Sequence, residues 1–137
     1  MQITAVSFIK INLKEGLFMT QNEKFELIIK TLDVKKGEDI QALKVADLTI
    51  LAEYFIIVNG TSNTHARTLA DEVEFQLSQK GVEPLRRESD TGNTWIILDY
   101  GDILVHVFSK EQRSFYNLDG LWADGQPVDI SNLVIKE

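Results

Sequence analysis

Trp95-Ile96-Ile97-Leu98-Asp99-Tyr100-Gly101-Asp102-Ile103-Leu104-Val105-His106-Val107-Phe108 is the stretch that decides the fold. Two β-branched, aliphatic runs flank a short polar turn containing glycine, the pattern of a tight antiparallel hairpin. With an even-numbered loop, Ile97 is expected opposite Leu104 and Trp95 opposite His106. Side chains alternate across a strand, so the hairpin has two unlike faces. Ile96, Leu98, Ile103, Val105 and Val107 make one purely aliphatic face, which must be core. Trp95, Ile97, Leu104, His106 and Phe108 make the other, with Asp99 and Asp102 at its turn end. This second face is either another buried layer, with His106 hydrogen-bonded inside it, or a partly open patch with an aromatic anchor and an acidic rim. The pattern alone leaves both open.

Upstream, Tyr54-Phe55-Ile56-Ile57-Val58 is continuous, β-branched and aromatic, as in a strand covered on both sides. The turn cluster Asn59-Gly60-Thr61-Ser62-Asn63 leads into a helix bearing Ala66, Leu69, Ala70, Val73 and Leu77 on one side. Arg67 and Asp71 stand four apart on it, and Gly81 is placed to end it in the left-handed conformation. Strand, helix and strand in succession imply a parallel crossover. Nearer the start, Thr20 and Glu23 have capping-box spacing before the stripe Phe25, Ile28, Ile29 and Leu32. Ile40–Val45 is a weak strand, and Ser109 with Gln112 opens a short helix through Phe115 and Tyr116, docked by Leu118, Leu121 and Trp122. The expected fold is α/β: a single domain with a mixed sheet packed with helices in the order α-β-β-α-β-β-α.

Length fits that: 137 residues hold one core. Residues 1–18 look separate, and a start at Met19 would leave them as an extension outside the native domain. The expected domain spans 19–123, followed by a tail over 124–137. No apolar run approaches the roughly 20 residues that cross a bilayer, and the leading segment makes a poor export signal. The absence of cysteine fits a reducing compartment. The chain is therefore expected to be soluble and cytoplasmic.

Charge narrows the partner. Fourteen basic against twenty-one acidic residues give −7, so few cations are available to displace counterions from phosphates. Little or no direct nucleic-acid binding is expected, and a basic protein partner suits the surface better. Chemistry has little to draw on. His65 and His106 are the only histidines, and no pair of ligands has metal-site spacing. Asn59-Gly60-Thr61-Ser62 could offer amides to a phosphate at a helix start, but the repeated glycines and lysine of a phosphate loop are missing. Asp99 and Asp102 could share a divalent cation, yet two aspartates at a hairpin are more often turn formers. No catalytic residue, cofactor or metal is expected.

Three blocks resemble the ribosomal silencing factors of the RsfS/Iojap family: Tyr54–Arg67 with Leu69–Val73, Trp95–Phe108, and Arg113–Trp122. Glu53 stands where that family usually has aspartate, and Asn59 where a small residue or threonine is common. The resemblance implies a nucleotidyltransferase-like fold acting as a binding protein. It implies a partner, the large ribosomal subunit, contacted through its basic protein fourteen at the intersubunit face, so that small-subunit joining is blocked. It also implies a partner-binding surface around the hairpin, carried here by Trp95, Asp99, Tyr100, Asp102 and His106, which favours the open-patch reading of the second face. Members are often homodimers, a point on which the residues themselves are silent. The competing readings are a metal-dependent nucleotidyltransferase and a plain homodimeric interaction module.

Overall fold

A computed structural model describes residues 19–46, 52–116 and 125–135. Leu118, Leu121, Trp122 and the leading 18 residues lie outside the described residues. The elements are α1 (Gln21–Val34), β1 (Glu38–Lys44), β2 (Tyr54–Gly60), α2 (Asn63–Ser78), β3 (Arg86–Ser89), β4 (Trp95–Asp99), β5 (Ile103–Ser109), α3 (Lys110–Tyr116) and β6 (Gln126–Pro127). The mixed α/β domain agrees with the sequence, but β3 and β6 were not foreseen.

α1 starts where its capping box says it should. The Thr20 hydroxyl accepts from the Glu23 N–H at 3.0 Å, and Glu23 Oε1 accepts from the Thr20 N–H at 2.9 Å. α2 is capped by Ser62, whose Oγ accepts the His65 N–H at 3.1 Å. Beyond its end Gly81 takes φ +81°, as expected. Asp71 does not rely on Arg67: it pairs with Arg87 at 2.8 Å, and Glu74 pairs with the same guanidinium at 3.0 Å, tying α2 to β3.

The six strands lie in the order β3-β4-β5-β2-β1-β6. Only β2 and β5 are parallel neighbours; every other pairing is antiparallel. α2 carries the chain from β2 across the sheet to its outer strand β3, so the crossover lands three places away and β5 returns beside β2. Gly60 makes the sharp entry possible, because a Cβ there would stand 2.7 Å from the Ala66 nitrogen.

Ile96, Leu98, Ile103, Val105 and Val107 are all fully buried, together with Ile56 and Val58, under the apolar stripes of α1 and α2. Each such side chain contributes about 2 kcal/mol by leaving water. Residues 125–135, expected as a tail, belong to this packing. Pro127 and Gln126 pair with Leu43 and Lys44, and Val128, Ile130, Leu133 and Val134 lie against the main core.

The hairpin register differs from expectation by two residues. Tyr100 N–H donates to the Ile103 carbonyl at 3.0 Å, closing a two-residue loop of Gly101 and Asp102. Gly101, at φ +89°, occupies the first loop position, where a II′-type hairpin takes glycine. Trp95 therefore faces Phe108, and Ile97 faces His106. A shift of two leaves every side chain on its expected face.

Candidate partner-binding surface

The second face of the sheet carries a smaller cluster: Leu43, Val45, Ala52, Phe55, Ile57 and Phe108, with Trp95 and Leu104 packed partly buried against it. Among the described residues, neither α1 nor α2 supplies a side chain to it. α3 meets it beside Asn59. There Arg113 donates to Asn59 Oδ1 and to the Asp39 carbonyl, both at 2.9 Å. Towards the turn, Ile97, Leu104 and Asp99 are half-buried, and Trp95, opposite Phe108 at the α3 end, is half-buried too.

The aromatic groups form one connected layer. Trp95 stacks on Phe108 with centroids 5.2 Å apart, and Phe55 meets His106 edge-on at 4.8 Å. The Trp95 indole Nε1–H donates to His106 Nδ1 at 3.3 Å. Only 5 % of His106 is exposed. Burial pushes its pKa down to about 4, so the ring is neutral at physiological pH. With Nδ1 accepting, the single proton sits on Nε2, which is buried without a hydrogen-bond partner among the described residues.

Beside this ring lies a cavity of about 270 Å³, lined by Phe55, Ile97, Leu104 and His106 and by the charged Arg86, Glu88 and Asp99. Asp99 accepts from Arg86 at 3.2 Å and from the Gly101 N–H at 2.8 Å. Arg86 also stands 3.6 Å from Glu88.

Of the five residues named for this surface, the fold gathers three. Trp95, Asp99 and His106 share the face, although His106 forms its floor rather than its surface. Tyr100 does not reach it. One position beyond Asp99, its ring turns to the helical side and packs in the main core, 6 % exposed. Burial, and the charges of Glu74 and Glu83, push its hydroxyl pKa well up. Asp102 also turns away, because loop residues do not keep strand alternation. Its carboxylate pairs with Lys24 of α1 at 2.9 Å and accepts from Gln21 at 3.3 Å. Sequence reasoning missed Phe55, Arg86 and Glu88. Phe55 could have been found from the alternation of β2. Arg86 and Glu88 could not, since every side chain of β3 is exposed and shows no apolar period.

The remaining chemical candidates resolve into structure. His65 Nδ1 accepts the Thr61 N–H at 2.9 Å and its Nε2 lies 2.9 Å from the Lys35 carbonyl, bracing α2 against the end of α1. The Thr61 and His65 amides are thereby committed, which leaves a poor cradle for phosphate. Asp99 and Asp102 point to opposite sides of the sheet. Among the described residues no group of three or more His, Asp or Glu side chains could hold a metal ion, and no helix is long and apolar enough to cross a membrane.

Comparison with known proteins bears on the same residues. A family model described as "Ribosomal silencing factor during starvation" (RsfS) matches residues 19–137. The chain is 32% identical over 116 residues to the ribosomal silencing factor RsfS of Halalkalibacterium halodurans, covering 85% of this chain and 99% of that one. It is 34% identical over 112 residues to RsfS of Bacillus subtilis, covering 82% and 95%. A crystal structure of a Chromobacterium violaceum protein superposes with a TM-score of 0.73 at 33% identity, over 81% of this chain and 92% of that one.

Proposed function

The chain belongs to the RsfS family of ribosomal silencing factors, and from that premise we propose that it binds the large ribosomal subunit through its second sheet face. The partner is the basic protein fourteen of the intersubunit surface. Its occupation blocks joining of the small subunit and lowers translation when nutrients are scarce. The protein acts by occupying a surface in the cytoplasm, not by catalysing a reaction.

One observation carries this reading: the half-buried Trp95 stands on a sheet face to which α1 and α2 contribute nothing among the described residues. Large aromatic side chains backed by a rigid apolar floor are the usual anchors of protein interfaces. The chain's net charge of −7 favours a basic partner and speeds its approach. The rival metal-dependent transferase would need neighbouring carboxylates to hold two ions, and Asp99 and Asp102 are separated by the sheet.

The test is subunit joining in vitro. Separated subunits mixed in the presence of the protein should give a smaller joined peak on a sucrose gradient, in proportion to the protein added. An unchanged joined peak at saturating protein would contradict the proposal.

A further inference from the structure

The sheet has two outer strands, and they are finished differently. β6 is two residues long, and one of the two is Pro127. Behind it, β1 breaks register between Glu38 and Gln41, with Asp39 at φ +53°. Short strands, prolines and bulges are the usual means of keeping a sheet edge from pairing with another chain. β3 has no bulge and no proline. It pairs with β4 in unbroken register from Arg86 to Ser89, and none of its residues has a positive φ. Among the described residues no strand lies on its outer side, and residues 85–90 are all exposed.

Charge, the remaining common safeguard of an edge, is turned back onto the protein at both arginines. Arg87 is taken up by Asp71 and Glu74 of α2, and Arg86 by Asp99. The Asp90 N–H turns inward to the Trp95 carbonyl at 3.3 Å, so by alternation the N–H of Ser89 before it turns outward. What borders the edge specifies an occupant. Phe75 and Leu85 are 53 % and 71 % exposed, and Phe75 lines a cavity of about 410 Å³ beside Arg87 and Glu83. Glu83, Glu88, Asp90 and Asp99, with Asp71 and Glu74, outnumber Arg86 and Arg87. A strand added here meets apolar side chains in a net negative surround, which suits a basic, extended segment.

Resting on the reading that this protein binds a basic protein of the large subunit, we infer that β3 takes up an extended segment of that protein as a seventh strand of the sheet. The Ser89 N–H donates to a carbonyl of the added segment. Basic side chains of the segment meet Glu88 and Asp99 on one side of the sheet, and Glu74 and Glu83 on the other. Trp95 and β3 then engage the same partner, one through a side chain and the other through the backbone.

The experiment follows hydrogen–deuterium exchange of the wild-type protein, free and bound to isolated large subunits, and adds two variants. Amides within residues 85–90 should exchange about tenfold more slowly in the complex, while those of 126–130 at the opposite edge stay unchanged. Ser89→Pro removes the outward N–H where an edge strand tolerates proline. It should pellet with large subunits roughly tenfold more weakly than wild type. Glu88→Lys should weaken pelleting severalfold at low salt and less at high salt. It decides the matter, with the wild-type exchange, if Ser89→Pro does not fold. If wild type pellets while residues 85–90 exchange at their free rate, strand addition is wrong, though binding through the Trp95 face stands. Slowed exchange with full-strength binding by Ser89→Pro would mean contact without pairing, and overturns it as well. Exchange at 85–90 that is slow in the free protein and quickens on dilution would give the edge to a second copy of this chain instead. If wild type stays in the supernatant, the ribosomal partner is wrong and the added strand with it.

Discussion

Trp95 and His106 lie on adjacent antiparallel strands, displaced by two residues from direct opposition, and are joined by an indole-to-imidazole hydrogen bond of 3.3 Å. The pair couples a half-buried indole to a buried ring. Trp95→Ala should therefore weaken large-subunit binding by about 2 kcal/mol, some thirtyfold, as expected of an interface hot spot. Circular dichroism should still show a folded domain, because the main core lies on the other side of the sheet. Binding of the folded variant at wild-type strength would remove Trp95 from the interface.

His106 also makes stability depend on pH. Its folded pKa of about 4 lies below the ordinary 6.5, and burial is the cause. Between these values the unfolded chain binds the proton and the folded chain does not, so stability is complete above about pH 6.5 and falls as pH drops towards 4. The full contribution is about 3 kcal/mol. Urea midpoints for wild type and His106→Phe, compared at pH 7 and 4.5, isolate it from the carboxylates. Wild type should lose more stability than the variant; equal losses would contradict the neutral buried ring.

The two turn aspartates should separate cleanly. Asp102→Lys places a second ammonium against Lys24 of α1 and should cost about 1 kcal/mol of stability while leaving subunit binding intact. Asp99→Lys lies on the second face beside Arg86. It should slow association with large subunits severalfold at low salt, with the difference shrinking as salt rises. Reversed behaviour of the two variants would put the interface on the helical side.

Arg113 holds α3 to the sheet through Asn59 and the Asp39 carbonyl. Asp39 itself adopts φ +53° at the irregularity in β1. Arg113→Ala leaves both acceptors behind and should destabilise by about 2 kcal/mol in urea denaturation. A midpoint shift under a quarter of that would mean that α3 is held by other contacts.

What was legible in the sequence was whatever has a period. Ile96, Leu98, Ile103, Val105 and Val107 alternate with Trp95, Ile97, Leu104, His106 and Phe108, so the two faces could be written down before any coordinates. Thr20 and Glu23 likewise announce α1. β3 was invisible because Arg86-Arg87-Glu88-Ser89 lies exposed along the sheet edge and has no buried side to mark it. The hairpin offset escaped because loops that differ in register by two residues produce the same faces. Asp102 was placed at the turn end of the second face by strand alternation, and Tyr100 on it by resemblance. Their true direction follows from the alternation after Asp99 and from the Lys24 ammonium, and pairing with Lys24 is a contact between residues 78 positions apart.

The most direct test is sedimentation of the protein with purified large subunits and, separately, with joined ribosomes. The second sheet face should carry the protein into the pellet with free large subunits and leave it in the supernatant with joined ribosomes, whose intersubunit surface is already covered. Equal pelleting with both, or with neither, would contradict an intersubunit site.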